Sequence, residues 1–260
     1  MREIHDPQQN HLLAALPAAE RGRLFPQLQL VPMALGTVLH ESADTATHVY
    51  FPIDCIVSLR SVTSDGASAK ISMVGNEGLV GVALCMGGET TPSQAVVQSA
   101  GHAYRLVGKQ LKEEFDRNGE MLLLLLRYTQ TLLAQMTQTV MCRERHSVDQ
   151  QLCRWLLLSL DRLSGNQITI TQEFVASMLG VRSEDVSKAG EKLQKLGVIR
   201  YSARQIAVLN RPKLETLCCE CYAVVKKEID HLLQHPRNSR AFATGAPARD
   251  PPSEGPPARA

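Results

Sequence analysis

Residues 217–222 read LCCECY, which sets three thiols, Cys218, Cys219 and Cys221, within four positions. Thiolates hold zinc and iron–sulfur clusters, so metal binding or redox sensing is the chemistry such a group could support. On a helix, however, Cys218 and Cys221 would share a face while Cys219 points elsewhere. The nearby sequence offers no histidine to complete a tetrahedral set. Free cysteine is also among the most often buried residue types. The expectation is therefore three structural cysteines, with no metal and no cofactor. Cys55, Cys85, Cys142 and Cys153 are scattered along the chain, for an odd total of seven. That is not a disulfide framework and points to a reducing cytoplasm. The eight histidines show no HExxH spacing, and an unpatterned histidine is too unspecific to assign to haem. Neither a phosphate-binding GxxxxGK loop nor a GxSxG elbow is present, so no catalytic activity is expected.

A second set of residues has the spacing of a nucleic-acid reader. In QEFVASMLGVRSEDVSKAGEKLQK, residues 172–195, Thr171 can cap a helix that starts at Gln172. Val175, Ala176, Leu179, Val181, Val186, Ala189 and Leu193 form the inner side of two short helices. Gly180 between them supplies the left-handed residue that a three-residue turn needs. The outer side of the second helix then carries Arg182, Ser183, Glu184, Ser187, Lys188, Glu191 and Lys192. Ser183 is expected to cap it. Glu184 and Asp185 suit its positive end, and Glu184 can accept a hydrogen bond from a cytosine amino group. Affinity would come from Arg182, Lys188 and Lys192. Residues 198–209, VIRYSARQIAVL, alternate around Ser202-Ala203-Arg204 as a hairpin does, and ITI at 168–170 offers a third strand. Arg200 and Arg204 on this hairpin suit contact with phosphate. Strand, helix, turn, helix, hairpin is the winged helix-turn-helix order. The charge agrees, with 14 Lys/Arg against 10 Asp/Glu over residues 147–240 and 12 against 14 over residues 1–146. A basic C-terminal half favours an anionic partner.

These residues need a scaffold. Residues 10–25 read as a short polar helix. Residues 28–107 hold short runs such as THVYFPIDCIVSL, AKISMVG, SQAVVQSA and HAYRLV between Gly36, Gly66, Gly75, Gly87-Gly88 and Gly101. Strands at this spacing predict a small β-roll or jelly-roll sandwich. From Lys109 the period turns helical, and Leu122, Leu126, Thr129, Leu133, Met136 and Val140 are spaced 4, 3, 4, 3, 4. That is a heptad seam needing a partner. Because Leu123, Leu124 and Leu125 are apolar too, the helix should bury two faces, one on a second copy and one on the β-roll. A further helix is expected over Val148–Leu163, ending near Gly165. After Arg237, five of the chain's 13 prolines fall within 23 residues, and a disordered tail is expected. The longest apolar run, Met121–Leu126, is far short of the ~20 residues of a membrane span. The polar start lacks a signal pattern, so neither secretion nor a membrane partner is expected.

At this point the sequence strongly resembles the Crp/Fnr family of bacterial transcription regulators, over roughly residues 10–233. The resemblance is most specific in TQEFVASMLGVRSEDVSKAGEKLQKLGVIRYSARQIAVL. It implies an α+β chain in four parts: a double-stranded β-roll sensor at 10–108, a dimerisation helix at 109–146, a winged helix-turn-helix at 147–235 and a tail at 236–260. It also implies a homodimer that binds double-stranded DNA at a near-palindromic site and contacts RNA polymerase. The family's base-reading positions fall on Ser183, Glu184 and Lys188, with Arg182 and Ser187 beside them. Well-known members carry arginine where this chain has Ser183. Cyclic-nucleotide binders of the family use a Gly-rich turn, a glutamate for the ribose and an arginine for the phosphate. Gly78 and Gly81 match the turn, but Val82 stands at the glutamate position and Ser93, before Gln94, at the arginine position. A buried phosphate without a guanidinium or equivalent donor is poorly stabilised, so cyclic AMP is not the expected effector. Glu77 and Glu89 read as solvated loop acids. The alternative reading is a ligand- or redox-sensing module that acts through protein contacts and binds DNA weakly.

Overall fold

In the computed structural model, residues 5–62, 68–88, 90–91, 93–202 and 205–234 are described. Asn10 organises the start of the chain. Its side-chain oxygen accepts from the N–H groups of Leu12 and Leu13, capping α1 (His11–Ala15), while its amide donates to Pro52 O and Gly78 O at 2.9 and 2.8 Å. Together with α2 (Ala18–Leu24), this opening segment buries Leu12, Leu13, Leu16 and Leu24. It is thus an amphipathic lid on the core rather than the polar helix expected.

The expected strands form. They are β1 (Gln29–Met33), β2 (Val38–His40), β3 (His48–Pro52), β4 (Ile56–Val62), β5 (Ser68–Val74), β6 (Gln94–Ser99) and β7 (Gly101–Val107). They pair antiparallel in two sheets, β1-β7-β3 and β2-β6-β4-β5. Alternation places Val49 and Phe51, Val57 and Leu59, Ala95 and Val97, and Ala103 in one core, as expected for a two-layer β structure.

The single helix expected from 109 is two helices, α3 (Gly108–Phe115) and α4 (Glu120–Arg145). The break has a cause. Asn118 is left-handed, at φ 55°, and the Glu20 carboxylate accepts the Glu120 N–H at 3.0 Å. That carboxylate lies 2.6 Å from where a Cβ on Gly119 would stand. Glu20 thereby serves the N-terminus of α4, where an anion is favoured. One face of α4 buries Met121, Leu124, Leu125, Tyr128 and Leu132 against the β-roll. On the opposite face Leu126, Leu133 and Val140 are 49%, 54% and 61% exposed. The open stripe runs through Leu123, Leu126, Gln130, Leu133, Thr137 and Val140. Leu122, Thr129 and Met136, half of the expected seam, are half-buried flanks of that stripe, because α4 is rotated to seat Tyr128.

α5 (Val148–Leu160) starts in a capping box formed by Ser147 and Gln150 and stops three residues before the expected Leu163. Gly165, at φ 94°, turns the chain into β8 (Gln167–Thr169). There follow α6 (Gln172–Leu179), α7 (Ser183–Lys195), β9 (Ile199–Ser202), β10 (Gln205–Val208), α8 (Arg211–Leu217) and α9 (Cys221–Gln234). β8, β10 and β9 make the small sheet, and α9 lies along α4. Ile56 and Met73 of the β-roll join Trp155, Val175, Val186 and Leu193 in the second core, so the two halves share apolar packing. Among the described residues no helix is long and apolar enough to cross a membrane. Residues 235–260, with the expected tail, lie outside the described residues, as do Ala203 and Arg204.

Candidate functional site

The helix pair is built as its sequence implies. Thr171 Oγ1 accepts the Phe174 N–H at 3.3 Å. Gly180 is left-handed at φ 72°, and its N–H and that of Val181 both donate to Ala176 O, at 2.8 and 3.1 Å. All seven inner residues named above are buried or half-buried, and Met178 and Gly190 join them. The cap of α7 differs from expectation. It is Arg182, while Ser183 is the first helical residue. Arg182 O accepts from the N–H groups of Asp185 and Val186, and Arg182 Nε donates to Asp185 Oδ2 at 3.2 Å. This ion pair reaches back across the first turn, where a serine hydroxyl would have acted.

The outward residues sort by how committed they already are. Glu184, Lys188 and Arg200 are exposed, and among the described residues they make no ion pair. Ser187 is engaged, donating to Gln172 Oε1 at 2.9 Å and Ser183 O at 3.0 Å. Lys192 pairs with Asp149 on α5, so it also fastens α7 to that helix. Arg204 lies outside the described residues. An arginine and a lysine beside an acid on a helix N-terminal half form a surface with both phosphate-binding and base-selecting groups.

Gly190 sets how closely the hairpin approaches. A Cβ there would stand 2.8 Å from a ring carbon of Tyr201 on β9. Alanine gains about 1 kcal/mol over glycine inside a helix, but overpacking of this kind costs about 1–3 kcal/mol. Gly190→Ala should therefore lower the melting temperature by several degrees, and an unchanged or raised value would show that Tyr201 moves aside freely.

The expected effector residues serve the turn and the core. Gly81 is left-handed at φ 96° ahead of a short 3₁₀ turn at Val82–Met86. Val82 packs on the main core. The Tyr128 ring lies 2.5 Å from where a Cβ on Gly78 would stand, and its hydroxyl donates to Leu79 O at 2.6 Å. Ser93 O accepts from Thr91, and Gln94 donates to Glu41 at 2.7 Å. Glu77 is not a solvated loop acid. It is buried, its Oε1 takes the Arg162 Nε at 2.8 Å, and its Oε2 takes the Gly75 N–H. Glu89 lies outside the described residues.

Beside the apolar packing shared by the two halves, a polar layer lies between α4 and the β5–β6 part of the β-roll. Gln135 of α4 donates to Ser72 Oγ and Met73 O at 2.7 and 3.0 Å, and Lys70 donates to Gln98 at 3.1 Å. Burial, with Arg154 and Arg162 nearby, holds the Lys70 ammonium well below the usual lysine range.

The cysteine group also departs from expectation. Cys218 is extended at the end of α8, Cys219 lies in the connection and Cys221 opens α9, so the three are not on one helix. Cys142 and His146 from the end of α4 meet Cys219 and Cys221. Their signal was C-x3-H on a helix, the i, i+4 spacing that puts two side chains on one face.

The chain matches two family models, the cyclic nucleotide-binding domain over residues 31–118 and the Crp-like helix-turn-helix domain over residues 150–217. Among similar solved structures, FixK2 from Bradyrhizobium japonicum has a TM-score of 0.62 at 18% identity, covering 74% of this chain and 98% of that one. A CRP/FNR-family transcriptional regulator from Thermus thermophilus has a TM-score of 0.58 at 19% identity, covering 73% and 97%. The c-di-GMP-responsive global regulator CLP of Xanthomonas campestris has a TM-score of 0.58 at 16% identity, covering 74% and 99%. At these identities the likeness carries the fold. No curated protein matches the chain.

Proposed function

We propose, from the premise that the chain belongs to the Crp/Fnr family of transcriptional regulators, that it works as a cytoplasmic homodimer on a near-palindromic operator. Each subunit sets α7 in a major groove, and the two half-sites lie about one helical turn, ~34 Å, apart. The observation that carries this reading is the uncommitted Glu184 and Lys188 on the outer side of α7, with Arg200 on the adjoining hairpin. The open stripe on α4 supports the dimer, since half-exposed leucines at heptad spacing are what a second copy would cover. RNA polymerase is the partner through which such a dimer would act. The effector is something other than cyclic AMP, because Val82 and Ser93 supply neither carboxylate nor guanidinium and Tyr128 crowds the turn at Gly78.

Selection of bound sequences from a random DNA pool tests the reading, with an inverted repeat as the expected product. Affinity should fall steeply with salt, as phosphate contacts release counterions. Binding indifferent to sequence and salt would instead favour a module acting through protein contacts. Within the recovered site, Glu184→Ala should cost about 1–3 kcal/mol of discrimination at one base pair and much less in affinity averaged over all sequences. A uniform loss across sequences would remove Glu184 from base reading.

A further inference from the structure

Four soft donors meet where α4 ends and α9 begins. Cys142 Sγ is 3.6 Å from Cys219 Sγ, and Cys221 Sγ is 3.6 Å from His146 Nδ1. All four ligand atoms lie within 4.8 Å of one another, the thiols buried and the imidazole half-buried. With Zn–S near ~2.3 Å and Zn–N near ~2.0 Å, a tetrahedral ion sets sulfurs ~3.8 Å apart and sulfur and nitrogen ~3.6 Å apart. The two separations of 3.6 Å match that geometry, and the remaining ones lie within 4.8 Å.

Two further observations point to a cation here. His146 turns Nδ1 toward Cys221 and Nε2 toward Glu220 Oε1, at 3.3 Å. A carboxylate on the outer ring nitrogen is the usual way a ligating imidazole is held in its tautomer and orientation. The second is an uncompensated charge. Arg154 is 8% exposed, its Nε is without a hydrogen-bond partner, and among the described residues it pairs with no carboxylate. It lines a small cleft together with Cys142, Lys70 and Arg143, and no acid is among the residues lining it. A buried guanidinium needs an anion nearby. Three thiolates and a neutral imidazole around a divalent ion carry a net charge of about −1, which would meet that need.

We infer that Cys142, His146, Cys219 and Cys221 bind one zinc-class divalent ion in a tetrahedral Cys₃His site. On binding, each thiol gives its proton to solvent and its sulfur lone pair to the metal, with no change of oxidation state. Cys218, half-buried beside the group, stays outside the coordination set. The ion ties the last turn of α4 to the first residue of α9 across the His146–Ser147 junction, where α4 hands over to α5. Metal occupancy thus fixes how the half carrying α7 is set against the central helix, and this holds whatever sequence α7 reads.

The full chain, purified under reducing conditions without chelator, should contain one zinc per subunit by elemental analysis. Metal-free protein titrated with Co²⁺ should reach an end point at one equivalent. It should show sulfur-to-cobalt charge transfer in the near ultraviolet and strong visible bands of a tetrahedral site, both erased by Zn²⁺. Cys142→Ser and Cys219→Ser should each weaken Co²⁺ binding by at least ~100-fold, while Cys218→Ser and Cys153→Ser keep the spectrum. Should the ligand variants fail to fold, the wild-type titration decides alone. A folded wild-type chain without charge transfer at one equivalent would overturn the site. So would a spectrum that survives in Cys219→Ser, or a Cys142–Cys219 disulfide as the sole product under the same reducing conditions.

Discussion

Leu133→Asp should leave the chain folded and separate the proposed dimer, lowering affinity for a full inverted repeat by roughly 10²- to 10⁴-fold, the usual worth of linking two binding units. The substitution falls mid-stripe on α4, between Leu126 and Val140, where the side chain is half-exposed in the single chain and contributes little to its core. On a second copy the stripe repeats itself, so one aspartate per chain places two like charges close together in an apolar seam. Covering the exposed part of Leu123, Leu126, Leu133 and Val140 on both chains would stabilise association by on the order of 8 kcal/mol, from about 1 kcal/mol for each half-buried side chain. A seam charge removes part of that and adds desolvation. Light scattering after size exclusion would report the mass, and gel retention on full and half sites would report the affinity. A Leu133→Asp protein that remains a dimer with undiminished affinity would place the interface elsewhere. Gln130→Asn, on the same stripe and polar but uncharged, should do far less.

The contrast between the two faces of α4 shows what was legible beforehand. Period alone announced a helix with too many leucines for one contact, and the strands, the helix pair and the hairpin were equally plain because each is set by local alternation and turn chemistry. What could not be read was which leucines turn outward by a fraction of a turn, since that depends on Tyr128 reaching Leu79 O across the β-roll. Ser183 misled for a local reason, because the Arg182–Asp185 pair served the first turn in its place. The cysteine group misled for a long-range one. Cys142 and Cys219 are 77 positions apart and meet only because α9 returns along α4. Sequence neighbours alone made Cys218 look like part of the set, and the fold replaced it with His146. Of the residues proposed to face DNA, Arg182, Glu184, Lys188, Lys192 and Arg200 are exposed as read, whereas Ser183 and Ser187 are half-buried. The prior engagement of Ser187 and Lys192 was not legible, as Gln172 and Asp149 belong to other helices.

Glu77 is the sharpest instance, and its substitution carries the second large expectation. Its carboxylate and the Arg162 guanidinium are 7% and 1% exposed and 2.7 Å apart. Glu77 sits on the turn after β5, and Arg162 follows the end of α5, so the pair joins the β-roll to the C-terminal half. Each charge has one further partner, although Arg162 Nη2 makes no hydrogen bond. Glu77 Oε2 takes the Gly75 N–H at 3.1 Å, and Arg162 Nη1 donates to Leu158 O at 2.6 Å. Gly75 leaves the passage, since a Cβ there would stand 2.6 Å from Arg162 Cγ. Removing one partner strands the other charge without water, which costs about 3–5 kcal/mol. Glu77→Leu should therefore shift the urea midpoint far down, and Arg162→Met should do the same. The double variant should recover most of the loss, because an apolar pair of similar volume often equals or exceeds a buried ion pair in stability. That inequality separates two accounts of why the pair exists. If it served only stability, the double variant would bind its operator as the parent does. If it sets the orientation of α5, and through it α7, against the sensor, the double variant will be stable yet altered in operator affinity. Single variants that lose less than about 1 kcal/mol would mean that water reaches the pair, and the ion pair would then be no more than a surface contact.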